Sequence, residues 1–194
     1  MTQEQILRIF EQTGALQQGH FGLTSGLHSD RYFQCALVLQ YPRHAERLCA
    51  LGKDHFGSQA IDAVIAPAVG GIIVAYELAR QLNVRSLFAE RKDGRMLLRR
   101  GFRIQPGERI LVTEDVVTTG GSVQEVIELV RNMGGDVMGV FAIVDRSGGR
   151  VNFGVPFKPA VRLEARTFEP EACPMCRSGV PLDKPGSRDL KSKS

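Results

Sequence analysis

No apolar run in this sequence approaches the ~20 residues a membrane-spanning helix needs, and the opening MTQEQILRIFEQ lacks the basic and then apolar pattern of a secretory leader. A soluble cytoplasmic protein is the expectation. Cysteine is scarce: four residues, at 35, 49, 173 and 176, are too few and too scattered for a disulfide scaffold, so reduced thiols are expected. Signatures of nucleic-acid binding are also missing. The basic cluster from Arg91 to Arg103 has Phe102 as its single aromatic and holds no recognition motif. There is no internal repeat.

What is present suits one core and one active site, with 194 residues, 43% of them apolar. The net charge of +4 is concentrated in the basic cluster and in the tail residues Arg188, Lys191 and Lys193. Local positive charge of this kind fits a polyanionic small molecule.

Ile6, Leu7, Ile9 and Phe10 form one apolar helical stripe ended by Gly14, and residues 20–40 read as short strands joined by turns, an irregular N-terminal lobe. Pro42 opens a helix that Gly57 stops. Apolar runs at 63–66, 110–112 and 137–144 are rich in Val and Ile and alternate with helical patterns at 72–82 and 123–133, and a short strand fits 86–89. Alternation of this type predicts a doubly wound α/β fold with a mainly parallel sheet. After Arg166 four prolines and a charged end make regular structure unexpected, and the last ten or so residues read as loose.

The segment ILVTEDVVTTGGS, residues 110–122, carries the most chemistry. In an open α/β sheet, ligands bind at the carboxyl ends of strands. The turn after this strand offers close backbone approach at Gly120 and Gly121, hydroxyls from Thr118, Thr119 and Ser122, and amides at a helix start, which together make a phosphate cradle. Neither G-x-x-x-x-G-K-[ST] nor G-x-G-x-x-G stands here, so nucleoside triphosphate hydrolysis loses its main support. Glu114 and Asp115 would repel phosphate, but the vicinal hydroxyls of a sugar would satisfy them. A ribose 5-phosphate fits both halves. Capping explains one or two of these residues and leaves the others without a purpose.

Strand, acid pair and T-T-G-G-S resemble the phosphoribosyl pyrophosphate signature of the type I phosphoribosyltransferases. The resemblance covers most of the chain. It implies one domain with a core at about 41–165 and a hood from about 1–40 and 166–194, and Mg²⁺ held mainly through the pyrophosphate of the donor, with no metal ligand among the side chains. Donor contacts are implied at Glu114, Asp115, Val116, Val117, Thr118, Thr119, Gly120, Gly121 and Ser122. By the same resemblance, Val69, Gly70 and Gly71 in the segment APAVGG would bind pyrophosphate, with a strained peptide bond preceding Val69.

The basic segment AERKDGRMLLRRGF could be a solvated hairpin turning at Asp93 and Gly94. The resemblance implies a mobile loop instead, one that closes over the site of an adjacent subunit in a homodimer. Arg91 and Lys92 match its start, and Arg95 is the candidate third cation. Such cations would stabilise charge on departing pyrophosphate. Many relatives that act on orotate carry K-x-x-K-x-H here; this chain has Arg95 for the second lysine and Leu97 for the histidine.

For the acceptor, FGLTSGLHSDRYFQ resembles the orotate members' pattern F-x-L-x-S-G-x-x-S-x-x-Y/F. Thr24, Ser25, Tyr32 and Phe33 would meet a pyrimidine ring, with Thr118 beside it and Arg146, in VDRSGG, holding the orotate carboxylate. Thr24 stands where the family often has lysine, and His28 or Arg31 would supply that charge. An orotate phosphoribosyltransferase of pyrimidine biosynthesis is the implied activity. Another pyrimidine or a purine as acceptor stays open, as does a regulatory protein that keeps the donor site as a sensor. The pair in CPMC, Cys173 and Cys176, lacks a second CxxC or His pair nearby, so a zinc site would need a second copy of the motif across a dimer.

Overall fold

The computed structural model describes residues 1–23, 25–163 and 166–185. Helix α1 (Gln3–Gln12) starts in a capping box in which Thr2 Oγ1 accepts from the Gln5 amide and Gln5 Oε1 accepts from that of Thr2. Its stripe of Ile6, Ile9 and Phe10 is buried. Strands β1 (Leu16–Gly22) and β2 (His28–Phe33) form an antiparallel hairpin. Residues 36–39, expected to be extended, are instead the helical turn α2 (Ala36–Leu39), which buries Val38 and Leu39. Pro42 opens α3 (Pro42–Phe56).

The central sheet is built from β3 (Ala63–Pro67), β4 (Arg85–Lys92), β5 (Arg95–Leu98), β6 (Arg109–Val117), β7 (Asp136–Asp145) and β8 (Phe157–Arg162). Helices α4 (Gly71–Leu82) and α5 (Gly121–Asn132) connect its strands. The order is β5-β4-β3-β6-β7-β8, parallel throughout except for β5. Alternation along the strands feeds two cores. Val64, Ala66, Leu111 and Phe141 pack with α3 and α4 on one face, while Ala63, Ile65, Ile110 and Val112 pack with α5 on the other. Phe56 and Phe141 are fully buried, and truncating either to alanine would cost about 3–5 kcal/mol.

From β3 the chain winds outward through α4 to β4, and from β6 it winds the opposite way through α5 to β7. The carboxyl ends of β3 and β6 therefore flank the topological switch point, where a crevice opens.

A second sheet, ordered β1-β2-β9, joins both ends of the chain. Its third strand is β9 (Thr167–Phe168), followed by a 3₁₀ turn at Pro170–Ala172 and the short helix α6 (Pro174–Arg177). Further on, Asp183 bridges to Phe21, with its amide donating to the His20 carbonyl at 2.8 Å and its carbonyl accepting from Gly22 at 2.7 Å.

The structure departs from the expected elements in three further places. Strand β6 does not end at Val112 but runs through the acid pair to Val117, because its ladder with β7 continues to Val117 opposite Asp145. Strand β8 was not anticipated: Pro159 interrupts its pattern, yet β8 is an edge strand and tolerates a missing amide. The stretch after Arg166 holds regular elements as far as Arg177, each too short for a periodic signal. The tail expected to be loose, from residue 186, lies outside the described residues.

Candidate functional site

Two loops meet across the crevice. After β6, Thr118 and Thr119 are exposed, and Gly120 adopts φ +79° at the N-cap of α5. A Cβ on Gly120 would lie 2.8 Å from Val151 and 2.9 Å from Phe153, so that position requires glycine twice over. The first helical bond runs from Gln124 to Gly120, which leaves the amides of Gly121, Ser122 and Val123 without helical partners. They border an open cleft lined by Glu114 and residues 116–123, a concave set of amides and hydroxyls suited to a phosphate.

After β3, the Ala68–Val69 peptide is cis, at the bond singled out in the sequence, and Val69 is 81% exposed. Gly70 and Gly71 press against the acid pair. A Cβ on Gly70 would come within 2.7 Å of both Asp115 carboxylate oxygens, and one on Gly71 would meet Ala66 at 2.8 Å and Glu114 Oε1 at 3.2 Å. Glu114 is buried, and desolvation, reinforced by the Asp115 charge, holds its carboxyl well above the usual range. Glu114 Oε1 accepts from the Asp115 amide at 3.2 Å. The Asp115 carboxylate accepts no hydrogen bond among the described residues, which leaves it available to ligand hydroxyls. An acid pair of this kind, next to a loop with room only for glycine, fits a sugar that carries a Mg²⁺-bound polyphosphate.

The basic segment is a hairpin. Arg91 and Lys92 end β4, Asp93 (φ +51°) and Gly94 (φ +79°) make the turn, and Arg95 begins β5. Arg91 donates to Glu125 of α5 at 2.7 Å and to the Gly94 carbonyl at 3.0 Å. Lys92 and Arg95 are exposed and make no ion pair among the described residues. Of the three cations, Arg91 is thus held within its own chain.

On the acceptor side, Arg146 follows β7, its amide donating to the Val117 carbonyl at 2.8 Å. The turn is shaped by Asp145, whose Oδ1 accepts from the amide and the hydroxyl of Ser147. Arg146 lies over the Phe33 ring, 5.3 Å from its centroid, with a buried Nε that has no partner among the described residues. Burial pushes its guanidinium down from its ordinary value. Phe33 is itself 6% exposed, so one ring face supports Arg146. Tyr32 lies nearby, its hydroxyl pushed up by burial, lowered in part by Arg146 and raised by Asp115. Cys35 donates to the Asp115 carbonyl at 3.8 Å, and burial raises its thiol well above the ordinary range. Ser25 is exposed in the hairpin loop, and Thr24 lies outside the described residues.

Two sequence readings need correction. His28 is not free to replace the family's lysine, because it is buried with its Nδ1 2.9 Å from His20 Nε2. Nor do Cys173 and Cys176 stand without histidines: both face His20, and Cys176 also faces His28. A search for ligands near the CPMC pair in sequence misses histidines about 150 positions away.

Residues 40–153 match the phosphoribosyl transferase domain family. The orotate phosphoribosyltransferase of Caldanaerobacter subterraneus is 58% identical over 98% of this chain and 100% of its own length. Among solved structures, the orotate phosphoribosyltransferase of Aeropyrum pernix superposes with a TM-score of 0.67 at 27% identity, over 81% of this chain and 93% of its own. The adenine phosphoribosyltransferase of Thermoanaerobacter pseudethanolicus reaches 0.60 at 14% identity, over 69% and 88%, so the fold by itself does not select a base. Near-complete coverage at 58% identity does select one, and the chain belongs to the orotate phosphoribosyltransferases, pentosyltransferase enzymes built on the phosphoribosyl transferase domain.

Proposed function

We propose that the chain transfers ribose 5-phosphate from phosphoribosyl pyrophosphate to orotate, giving orotidine 5-monophosphate and pyrophosphate, with the roles divided between the two loops and the hood. The 5-phosphate sits on Thr118, Thr119, Gly120, Gly121 and Ser122, and the ribose hydroxyls on Glu114 and Asp115, with the backbone of Val116 and Val117 alongside. Pyrophosphate lies along Val69, Gly70 and Gly71. Mg²⁺ held through the donor's phosphates would supply positive charge against the departing pyrophosphate.

A ring nitrogen of orotate attacks that carbon with inversion, through an oxocarbenium-like state. Arg146 holds the orotate carboxylate, Tyr32 covers the ring, and Ser25, Thr24 and Thr118 border it, while Phe33 fixes Arg146 from below. Little acid-base chemistry is asked of the protein; positioning and charge carry the rate. The observation that supports this reading most directly is the close approach of Gly70 and Gly71 to the acid pair, as adjoining pyrophosphate and ribose subsites would require.

The same reading makes residues from both ends of the chain a hood over a core, in one domain. It also makes the protein a cytoplasmic homodimer with no nucleic-acid or membrane partner. Ile73 and Tyr76, one helical turn apart on α4, are 44% and 66% exposed beside the site loop, an apolar face suited to a second copy. The free cations Lys92 and Arg95 would then serve the partner's pyrophosphate, with Arg91 released from Glu125 on closure.

The test is the ultraviolet absorbance of orotate with protein, Mg²⁺ and phosphoribosyl pyrophosphate. Loss of orotate that depends on both additions is expected. Pyrophosphate release with another base but not with orotate would replace the acceptor, and silence with every base would favour a sensor.

A further inference from the structure

Four metal-ligating side chains converge away from the donor site. His20 Nε2, His28 Nδ1, Cys173 Sγ and Cys176 Sγ lie within 4.8 Å of one another. We propose that this chain binds one structural Zn²⁺ through these four atoms, pinning its C-terminal segment to the β1–β2 hairpin.

Four of the six separations lie within about 0.4 Å of the edges of a tetrahedron, and all six are 4.8 Å or less. With Zn–N near 2.0–2.1 Å and Zn–S near 2.3 Å, the edges are about 3.3 Å between nitrogens and about 3.6 Å between nitrogen and sulfur. Here the nitrogens are 2.9 Å apart, Cys176 Sγ is 3.3 Å from His28 Nδ1 and 3.6 Å from His20 Nε2, and Cys173 Sγ is 3.5 Å from His20 Nε2. The orientation of His20 is fixed from outside the cluster. Its Nδ1 lies 2.8 Å from the Val180 carbonyl, which can only accept, so Nδ1 carries the proton and Nε2 turns its lone pair inward.

The backbone is arranged for the same purpose. Strand β1 carries one more residue than β2 between the pairs Gln18–Arg31 and Phe21–Ser29, and His20 lies in that bulge. The cysteines bracket a turn in which the Arg177 amide donates to the Cys173 carbonyl at 3.2 Å and the Gly179 amide to that of Cys176 at 3.0 Å. Both thiols are free, and His20, His28 and Cys173 are buried.

Two imidazoles and two thiolates are borderline-soft donors that suit Zn²⁺ and not the Mg²⁺ of the transfer reaction. Four protein ligands leave no open position, so the site is structural. Binding releases the two thiol protons to solvent. The site holds the hairpin whose second strand carries Tyr32 and Phe33, so the ion would stiffen the acceptor side of the crevice without touching substrate.

The test is metal analysis of the full chain purified without chelator, followed by Co²⁺ titration of the apoprotein. About one Zn²⁺ per chain is expected. Co²⁺ should give the intense visible bands of a tetrahedral ion and a near-ultraviolet thiolate charge-transfer band. Cys176→Ser, at an exposed position, should lose the charge-transfer intensity in part and bind at least tenfold less zinc after dialysis against chelator, and chelator should lower the melting temperature of the parent protein but not of this variant. A parent chain with negligible zinc and no tetrahedral cobalt spectrum would overturn the proposal. So would a Cys173–Cys176 disulfide in protein prepared under reducing conditions. If the variant does not fold, the parent's cobalt spectrum decides.

Discussion

Gly70 stands against Asp115 so closely that an added Cβ would lie 2.7 Å from both carboxylate oxygens. The clash is with the proposed ribose subsite and not with the core, since Gly70 is exposed at the start of α4. Gly70→Ala should therefore displace Asp115 while leaving the melting temperature nearly unchanged. We expect kcat/KM for the donor to fall by on the order of tenfold or more, equal to about 1.4 kcal/mol. Initial rates at varied phosphoribosyl pyrophosphate, next to a thermal melt, check both halves.

Asp115→Asn removes the charge and keeps the shape. Turnover should drop on the order of a hundredfold, about 2.7 kcal/mol of transition-state stabilisation, with the circular dichroism spectrum unchanged. Normal turnover in this variant would remove Asp115 from the ribose site.

Arg146 has a ring beneath it and no ion pair among the described residues. If it grips a carboxylate, Arg146→Ala forfeits a charge-assisted hydrogen bond worth about 1.5–3 kcal/mol, raising KM for orotate roughly ten- to a hundredfold. KM for the donor should hardly move. Equal rises in both constants would assign Arg146 to the scaffold.

Glu114 gives a pH signature. Burial raises its folded-state pKa above that of the unfolded chain, so the native protein keeps this proton to higher pH. Stability is then lost as pH rises from the ordinary carboxylate range through the raised value. Glu114→Gln abolishes that slope, so the variant should gain melting temperature relative to its parent from pH 5 toward pH 8. Parallel melting curves across that range would mean that Glu114 ionises as an ordinary carboxylate.

Gly139 lies on β7 with the Phe56 ring over it; a Cβ there would sit 2.4 Å from that ring and 3.0 Å from the Pro156 carbonyl. Gly139→Ala should cost about 1–3 kcal/mol by overpacking, read from chemical denaturation, with activity per folded molecule retained.

The parts of the fold that could be read from sequence are those with a period. The helices at 42–56, 71–82 and 121–132 show it plainly, and the strands at 63–67 and 136–145 stand out beside them as apolar runs rich in Val and Ile. Strand β6 was foreshortened because Glu114 and Asp115 read as the end of a strand, whereas the ladder with β7 carries them inside it. Short elements such as α2 and β9 take their shape from neighbours and have no signal of their own.

At the site, local motifs such as T-T-G-G-S and A-V-G-G were visible because one turn supplies all their atoms. The placement of Phe33 under Arg146, and of His20 and His28 beside Cys173 and Cys176, depends on strand pairing and on contacts between opposite ends of the chain, which no local spacing encodes.

The second sheet takes strands from both ends of the chain, β1 and β2 early and β9 near the close. On the ribosome, where earlier segments fold first, both loops proposed to bind the donor emerge by Ser122, while the second edge of β2, opposite β1, waits for Thr167 to pair. A nascent chain would thus assemble its donor half well before its acceptor half. An arrested chain that stops short of residue 167 should hold the sugar phosphate but have an unfinished wall for the base.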